Sequence, residues 1–174
     1  MPGSGPRPPS LLALPSYLAS QVSRFGRRHL ERVLQEHDLV LEHHAILTAL
    51  DDFGPLSQQQ LADSLDLDKS HLVGRIDHLE GRRLLSRAPD PADRRRHRIT
   101  LTATGRNLIR RLRPVARESQ EDFLRTLSPA ERKTLVGLLG RVLAANDAAR
   151  RAGAATHPVG GAAGGGSRPA ADAG

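Results

Sequence analysis

The middle of this sequence changes its hydrophobic period, and that change constrains the fold more than any other feature. Apolar residues first recur at helical spacing, most clearly at Leu72, Ile76 and Leu79. Two short runs with β character follow, at residues 84–88 and 98–102. Two short helices joined by a tight turn, with a hairpin behind them, are the pattern of a winged helix-turn-helix. The sequence therefore predicts a mainly α-helical fold with a small β-hairpin wing.

The two short helices carry clear start signals. Ser57 followed by Gln60 forms a capping box that opens the first of them, directly after a turn at residues 53–56. The second is predicted from about Lys69 to Gly81. Between the two β runs lies a turn rich in proline, aspartate and arginine, which makes the hairpin strongly basic.

Longer helices flank this centre. They are predicted at about 14–36 and 41–51 before it, and at about 103–126 and from residue 128 after it. Pro114 is expected to bend or break the third of them. The outer helices carry apolar faces that only one another could cover. We therefore expect them to pack around a two-fold axis with a second copy of the chain.

The two ends of the chain differ from its centre in composition. Residues 1–10 are mostly proline, glycine and serine, and residues 149–174 are rich in glycine and alanine. Neither end has a periodic apolar face, so both are predicted to be disordered tails. The folded part is then 11–148, with dimerisation helices at about 14–36 and 103–148 and a DNA-binding lobe at about 41–102.

Composition excludes several classes of protein. The 174 residues include 26 Lys plus Arg against 19 Asp plus Glu, and the net charge of +7 suits a polyanionic partner. The absence of cysteine excludes disulfides, thiolate metal sites and cysteine nucleophiles. There is no apolar run of about 18 residues, so we expect a soluble cytoplasmic protein. No phosphate loop, nucleophile elbow or zinc-protease motif is present, so neither an enzyme nor a cofactor is predicted.

Four motifs in order resemble the MarR family of bacterial transcription regulators. They are Gly54–Ala62 at the start of the helix-turn-helix, Asp77–Glu80 at the end of its second helix, the wing segment Arg87–Gly105, and Leu127–Arg132 before the last helix. The family usually has glycine where this chain has Arg83. Either the helix stops sooner or Arg83 adopts a left-handed conformation.

The resemblance implies that the second short helix enters the major groove of DNA while the wing follows the minor groove. Geometry agrees, because the major groove admits one helix whose first residues reach the base edges. In the family pattern Asp93 would brace Arg95, and Arg95 would insert into the minor groove, while neighbouring arginines hold phosphates. The candidate DNA contacts are Ser57, Gln58, Lys69, Ser70, His71, Gly74, Arg75, His78, Asp93, Arg94, Arg95, Arg96 and Arg98.

The resemblance also implies a small effector, often aromatic or anionic, bound between the dimerisation helices and the DNA-binding lobe. The candidate contacts are Tyr17, Phe25, His29, His43 and His44. A histidine on an apolar stripe, such as His29, is more often part of a core or an interface. The Glu42-His43-His44 run also suggests a metal, but adjacent helical residues point about 100° apart. No metal site is predicted from it.

Together these features predict a homodimeric repressor that binds a pseudo-palindromic operator and is released by a small ligand. Two alternatives remain open at this stage. One is an architectural protein that binds DNA without sequence preference. The other is a regulator that responds to a metal.

Overall fold

The computed structural model describes residues 5–90 and 97–156, with side chains described up to residue 152. The chain divides into two compact units, residues 1–125 and residues 126–174, which are described separately. The first contains α1 (Pro9–Leu12), α2 (Pro15–Glu36), α3 (Leu41–Phe53), β1 (Leu56–Ser57), α4 (Gln58–Leu65), α5 (Lys69–Gly81), β2 (Leu85–Pro89), β3 (His97–Leu101) and α6 (Ala103–Phe123), and the second contains α7 (Pro129–Thr156).

The core of the first unit is made of leucine and isoleucine side chains from every longer element. Leu34 of α2, Leu47 of α3, Leu61 of α4, Ile76 of α5 and Ile109 of α6 are all at most 2% exposed. Leu72, Ile76 and Leu79 of α5 are buried as well, which confirms the helical spacing predicted for this segment. This single core holds the helix-turn-helix and the hairpin in a fixed relation.

The hairpin is part of a three-stranded antiparallel sheet in the order β1-β3-β2. In the hairpin Leu85 pairs with Leu101, and on the other edge of β3 Leu56 pairs with Ile99. The hairpin was predicted, but β1 was not, because two residues are too short for an alternating pattern. Gly54, which precedes β1 with φ +78°, makes the turn that brings this strand to the sheet.

The two long helices of the first unit meet at a glycine. A side chain at Gly26 of α2 would lie 3.1 Å from the ring of Phe123 on α6. The Gly26 carbonyl accepts hydrogen bonds from Ser119 and Gln120 at 3.3 and 3.2 Å. α6 runs without a break through Pro114, so the predicted break does not occur.

The second unit contains one long helix with a good N-terminal cap. The Ser128 hydroxyl accepts from the Glu131 N–H at 3.3 Å, and the Glu131 carboxylate accepts from the Ser128 N–H at 2.8 Å. An apolar stripe along α7 is exposed to solvent, and its members are Val136, Leu138, Leu139, Val142 and Leu143.

A helix of the structure extends into each of the two segments that the sequence pattern predicted to be tails. α1 starts at Pro9, inside the predicted N-terminal tail, and α7 continues to Thr156, past residue 148. Alanines and arginines after residue 148 are good helix formers, and they extend α7 without contributing to its apolar stripe. The hydrophobic pattern alone could not show this extension.

Arg83 adopts the left-handed conformation, with φ +55°. α5 ends at Gly81, and the Leu84 N–H donates to the Leu79 carbonyl at 3.0 Å while the Arg83 N–H donates to Glu80 at 2.8 Å. These two bonds define a Schellman motif whose left-handed position is Arg83. Of the two possibilities left open by the sequence, the second occurs, because Gly81 keeps a helical conformation and Arg83 carries the positive φ.

Replacing Arg83 by glycine should therefore stabilise the fold. A left-handed L-residue costs about 1 kcal/mol, and part of this gain is offset by the greater freedom of glycine when unfolded. We expect the free energy of unfolding in urea to rise by about 0.5 kcal/mol. The same change at Arg111, an exposed helical residue of α6, should lower it by about 1 kcal/mol. A fall at both sites would contradict the prediction.

Candidate nucleic-acid interface

The N-terminus of α5 is capped by Asp68. Its carboxylate accepts from the Ser70 N–H at 2.7 Å and from the Ser70 hydroxyl at 2.5 Å. The Ser70 hydroxyl bond, followed by the Ser70 backbone bond, lowers the pKa of Asp68. Ser70 was predicted to contact DNA, but in this conformation its hydroxyl hydrogen is donated to Asp68. The hydroxyl oxygen can still accept a hydrogen bond from a base amino group.

The outward face of α5 lies opposite its buried residues. Ser70 and Gly74 are exposed there, and a side chain built on Gly74 would meet nothing within 4 Å. Gly74 therefore leaves space for close approach to another molecule. Val73 is 40% exposed beside them, and it was not predicted as a contact. Its methyl groups suit apolar contact with a thymine methyl. The sequence contains a signal for this exposure, because position 73 lies on a different side of the helix from Leu72 and Ile76.

One flank of α5 faces α3 and carries His71, Arg75 and His78 at spacings of four and three residues. An Arg75 guanidinium nitrogen lies 3.9 Å from the Glu42 carboxylate, and both side chains are over two-fifths exposed. His78 was predicted to contact DNA, but its ring turns toward α3 and stacks on His43 with centroids 4.5 Å apart. His78 Nε2 also lies 2.9 Å from the Asp38 carbonyl oxygen.

Arg82 adds a second link between α5 and the turn that joins α2 to α3. Its guanidinium donates to the His37 carbonyl at 2.8 Å and to the Asp38 carboxylate at 3.1 Å. His78 and Arg82 thus fix the far end of α5 to the segment that follows the long helix α2. Neither contact could be predicted from spacing, because the partners are about 40 residues apart.

His43 is the most deeply buried of the predicted site residues, with 3% of its surface exposed. Its Nδ1 accepts from the Val40 N–H at 3.3 Å, which assigns the ring proton to Nε2. Among the residues that the structure describes, that Nε2 has no hydrogen-bond partner. Burial, together with the nearby His78 and Arg75, lowers the pKa of His43 to about 4. The ring is therefore neutral at pH 7.

A cavity of about 480 Å³ opens between α3 and α5. It is lined by Glu42, His43, Leu67, His71, Leu72, Gly74, Arg75 and His78. Of the predicted ligand contacts, His43 alone lines this cavity. His44 is half-buried on α3, and burial lowers its pKa. On α2, Tyr17 accepts a hydrogen bond from Arg7 at 3.1 Å, Phe25 packs under Arg28, and His29 is exposed.

The remaining predicted DNA contacts lie at the start of α4, the start of α5 and on the wing. Ser57 and Gln58 are half-buried, and Ser57 forms the predicted capping box with Gln60. Lys69 is exposed in the first turn of α5. Arg98 on β3 is exposed, 3.4 Å from the Pro55 carbonyl and 3.7 Å from the Asp90 carboxylate. The contacts predicted at Asp93, Arg94, Arg95 and Arg96 lie outside the described residues.

Comparison with known proteins identifies this arrangement. The MarR family profile matches residues 39–97. A Thauera aromatica protein named for regulation of the hcr operon is 39% identical over 87 residues, which are 50% of this chain and 52% of that protein. The transcriptional repressor NicR of Pseudomonas putida is 30% identical over 125 residues, which are 66% of this chain and 79% of the repressor. The chain belongs to the MarR family.

Solved structures of MarR-family regulators agree with this assignment. Bordetella bronchiseptica BpsR, whose DNA binding is regulated by 6-hydroxynicotinic acid, superposes with a TM-score of 0.70 at 29% identity, covering 79% of this chain and 97% of BpsR. The repressor CouR of Rhodococcus jostii, bound to a 23-mer DNA duplex, gives 0.73 at 25% identity, covering 80% and 99%. The chain is thus a DNA-binding transcriptional regulator with a winged helix-turn-helix, as its sequence predicts.

The MarR-family wing is joined to α5 through Arg87, which sequence reasoning left out of the site. Its guanidinium donates to the Asp77 carboxylate at 2.5 Å and to the Glu80 carboxylate, and its N–H donates to Glu80 at 3.0 Å. Burial opposes the charge of Arg87, but the hydrogen bonds to Asp77 and Glu80 outweigh it and raise its pKa. The Arg87 side chain is 23% exposed, so this network is partly shielded from water.

We expect Arg87→Met to lower the free energy of unfolding by about 1–2 kcal/mol. Methionine keeps much of the side-chain volume but leaves the carboxylates of Asp77 and Glu80 close together without their shared cation. Urea unfolding at pH 7 measures the loss. Arg110→Met, at an exposed site on α6, should change stability by less than about 0.5 kcal/mol. Equal effects at the two positions would show that the Arg87 network adds no stability.

Among the described residues no group of three His, Cys, Asp or Glu side chains is arranged to hold a metal ion. Of the helices in the same part of the chain, none has the length and apolar run that crossing a bilayer requires.

Proposed function

We propose that this chain is a homodimeric repressor that binds a pseudo-palindromic DNA operator and is released by a small organic effector. The observation that carries the proposal is the exposed outward face of α5, with Ser70, Val73 and Gly74, beside an arginine-bearing hairpin. The Arg87 network fixes the angle between helix and hairpin. One element can thus enter the major groove while the other follows the backbone beside it.

The proposed dimer explains the exposed apolar surface of the long helices. The α7 stripe contains Val136, Leu139 and Val142, each more than half exposed. In α2, Leu18, Val22 and Phe25 are exposed at 41, 42 and 45% and recur at spacings of four and three. Contiguous apolar faces of this kind mark interaction surfaces. A second copy would cover them and place two α5 helices on one side of a duplex.

The proposed ligand response is supported by BpsR, whose DNA binding is regulated by 6-hydroxynicotinic acid, a small aromatic acid. Tyr17, Phe25, His29, His43 and His44 remain the proposed contacts from the sequence. A regulator of this kind performs no catalytic step. We place it in the cytoplasm, where its DNA target lies.

Selection of random duplex DNA by the purified protein tests the proposal. We expect the bound pool to contain an inverted repeat with half-site centres about 10 bp apart or a multiple of that distance. A pool without a motif, bound at low salt and lost at moderate salt, would instead identify an architectural DNA-binding protein. Light scattering of the same sample measures whether the chain is a dimer.

The wing contact is tested by Arg95→Ala on the selected operator. We expect binding to weaken by about 1–3 kcal/mol at fixed salt, with the dimer intact. Arg117→Ala is the matched control, because it removes the same charge from an exposed position on α6, where Arg117 lies 3.6 Å from Glu121. Unchanged affinity for Arg95→Ala would remove Arg95 from the interface.

A further inference from the structure

The C-terminal end of α2 lacks a cation of its own. The helix ends at Glu36, and no basic residue lies in its last turn. Asp38 then takes the left-handed conformation with φ +51°, and the Leu39 N–H donates to the Leu34 carbonyl at 2.9 Å. This Schellman motif satisfies carbonyls inside the helix, so those of His37 and Asp38 need other donors. The partial negative charge at a helix C-terminus favours cationic donors there.

α5 supplies these donors from its own C-terminal end. The Arg82 guanidinium donates to the His37 carbonyl at 2.8 Å and to the Asp38 carboxylate at 3.1 Å. His78 Nε2 lies 2.9 Å from the Asp38 carbonyl oxygen, and because a carbonyl only accepts, this nitrogen carries the proton and donates it. We call this set the α2–α5 clamp, and it consists of Asp38, His78, Arg82 and the His37 carbonyl. The clamp joins the long helix α2 to the helix proposed to enter the major groove.

The clamp is too exposed to contribute much to the stability of the fold. The side chains of Arg82 and Asp38 are 38% and 79% exposed, and an ion pair of this kind is worth at most about fivefold in an equilibrium constant. The clamp nevertheless defines one geometry, because bonds from both His78 and Arg82 converge on two consecutive residues. Its effect is therefore expected in the orientation of α5 rather than in the free energy of unfolding.

We propose that Asp38 and Arg82 are positioning residues for DNA binding, which hold α5 at the angle to α2 at which its outward face fits the major groove. Neither side chain touches DNA in this role. A dimer carries two clamps, so the factors lost at each of them multiply, and about five- to tenfold in affinity depends on the pair. This inference rests on the proposed function, because it takes α5 as the helix that enters the groove.

Asp38→Asn tests the proposal, because charge and positioning predict opposite results. Asparagine adopts the left-handed conformation as readily as aspartate, so the backbone is preserved. If only the electrostatic field mattered, removing a negative charge from a DNA-binding lobe would strengthen DNA binding. We expect instead that the Kd for the selected operator rises about five- to tenfold at fixed salt, while the urea midpoint stays close to that of wild type. Glu36→Gln, which removes the same charge from an exposed position at the end of α2, should not raise the Kd.

Arg82→Gln distinguishes positioning from direct contact with phosphate. Each phosphate contact that is lost lowers the slope of log Kd against log salt by about 0.9. We expect Arg82→Gln to weaken operator binding with the slope unchanged, and Arg82→Lys, which keeps a cationic donor, to restore part of the affinity. In the Arg82→Gln background Asp38→Asn should cause no further loss, because the two residues act as one unit. A lower slope, or losses that add, would overturn the proposal.

A duplex of mixed sequence separates failure of the clamp from failure of the proposed function. Positioning of α5 matters most where base edges are read, so Asp38→Asn should reduce the preference for the operator over this duplex. A wild-type chain without any preference would refute the proposed function, and the sign of the Asp38→Asn effect on the mixed duplex would still decide the clamp. A wild-type chain with a preference that Asp38→Asn leaves intact would refute the clamp alone.

Discussion

Gly105→Ala is expected to lower the free energy of unfolding by about 3–5 kcal/mol, which is among the largest effects of a single substitution. A Cβ at Gly105 would lie 2.0 Å from the Leu84 carbonyl oxygen and 3.1 Å from a Leu101 methyl group. That carbonyl cannot move aside cheaply, because it accepts from the Thr102 N–H at 3.1 Å. Thr102 in turn caps α6 by accepting from the Gly105 N–H at 3.0 Å. Urea unfolding at pH 7 measures the loss.

Gly74→Ala is the matched control for that measurement. Gly74 also lies in a helix, but a Cβ there meets nothing within 4 Å, so alanine should raise stability by about 1 kcal/mol. The same variant should weaken operator binding, since the added methyl group lies on the outward face of α5. A loss below about 1 kcal/mol for Gly105→Ala would mean that the start of α6 can shift away from Leu84.

The sequence predicted the parts of this fold that have a strong period or a local cap. α5 begins at Lys69 and ends at Gly81, as its apolar spacing and the following residues indicated, and Ser57 opens α4 through its capping box. What it missed depends on partners distant in the chain. β1 exists because Leu56 pairs with Ile99, and the glycine at 105 is required by a carbonyl contributed by residue 84. No local pattern contains that information.

For the candidate site, too, the sequence predicts local features and misses those that depend on distant residues. Exposure at Lys69, Ser70 and Gly74 follows from helical geometry and agrees with the sequence. The direction in which a side chain on the flank of α5 points does not follow from helical geometry, because His78 turns toward Asp38 and His43 rather than outward. The sequence shows Arg87 only as part of the wing motif, whereas the structure makes it the link between α5 and the wing. Side chains whose partners lie across a turn or a sheet need the fold before their roles can be assigned.

The stability of the protein should fall as the pH drops from about 6.5 to about 4, through His43. Burial first, then His78 and Arg75, lowers the pKa of folded His43 to about 4, while an unfolded chain restores the ordinary value of 6.5. Between these values the unfolded state binds a proton that the folded state excludes, so protonation favours unfolding. Above pH 6.5 the contribution of the neutral His43 ring to the free energy of unfolding is constant. About 3 kcal/mol of that free energy is lost when the pH falls to 4.

The difference in unfolding free energy between wild type and His43→Leu isolates this contribution, because the other titrating groups cancel. Measured in urea from pH 7.5 to pH 4.5, the difference should move by about 2–3 kcal/mol in favour of the leucine variant as the pH falls. Ile46→Val is the control, since it changes a fully buried residue of α3 but removes no titrating group, so its difference should stay flat. A flat profile for His43→Leu would show that the buried ring takes up its proton inside the fold. The Val40 N–H would then lose its acceptor at Nδ1, and the stack on His78 would have to accommodate a charge.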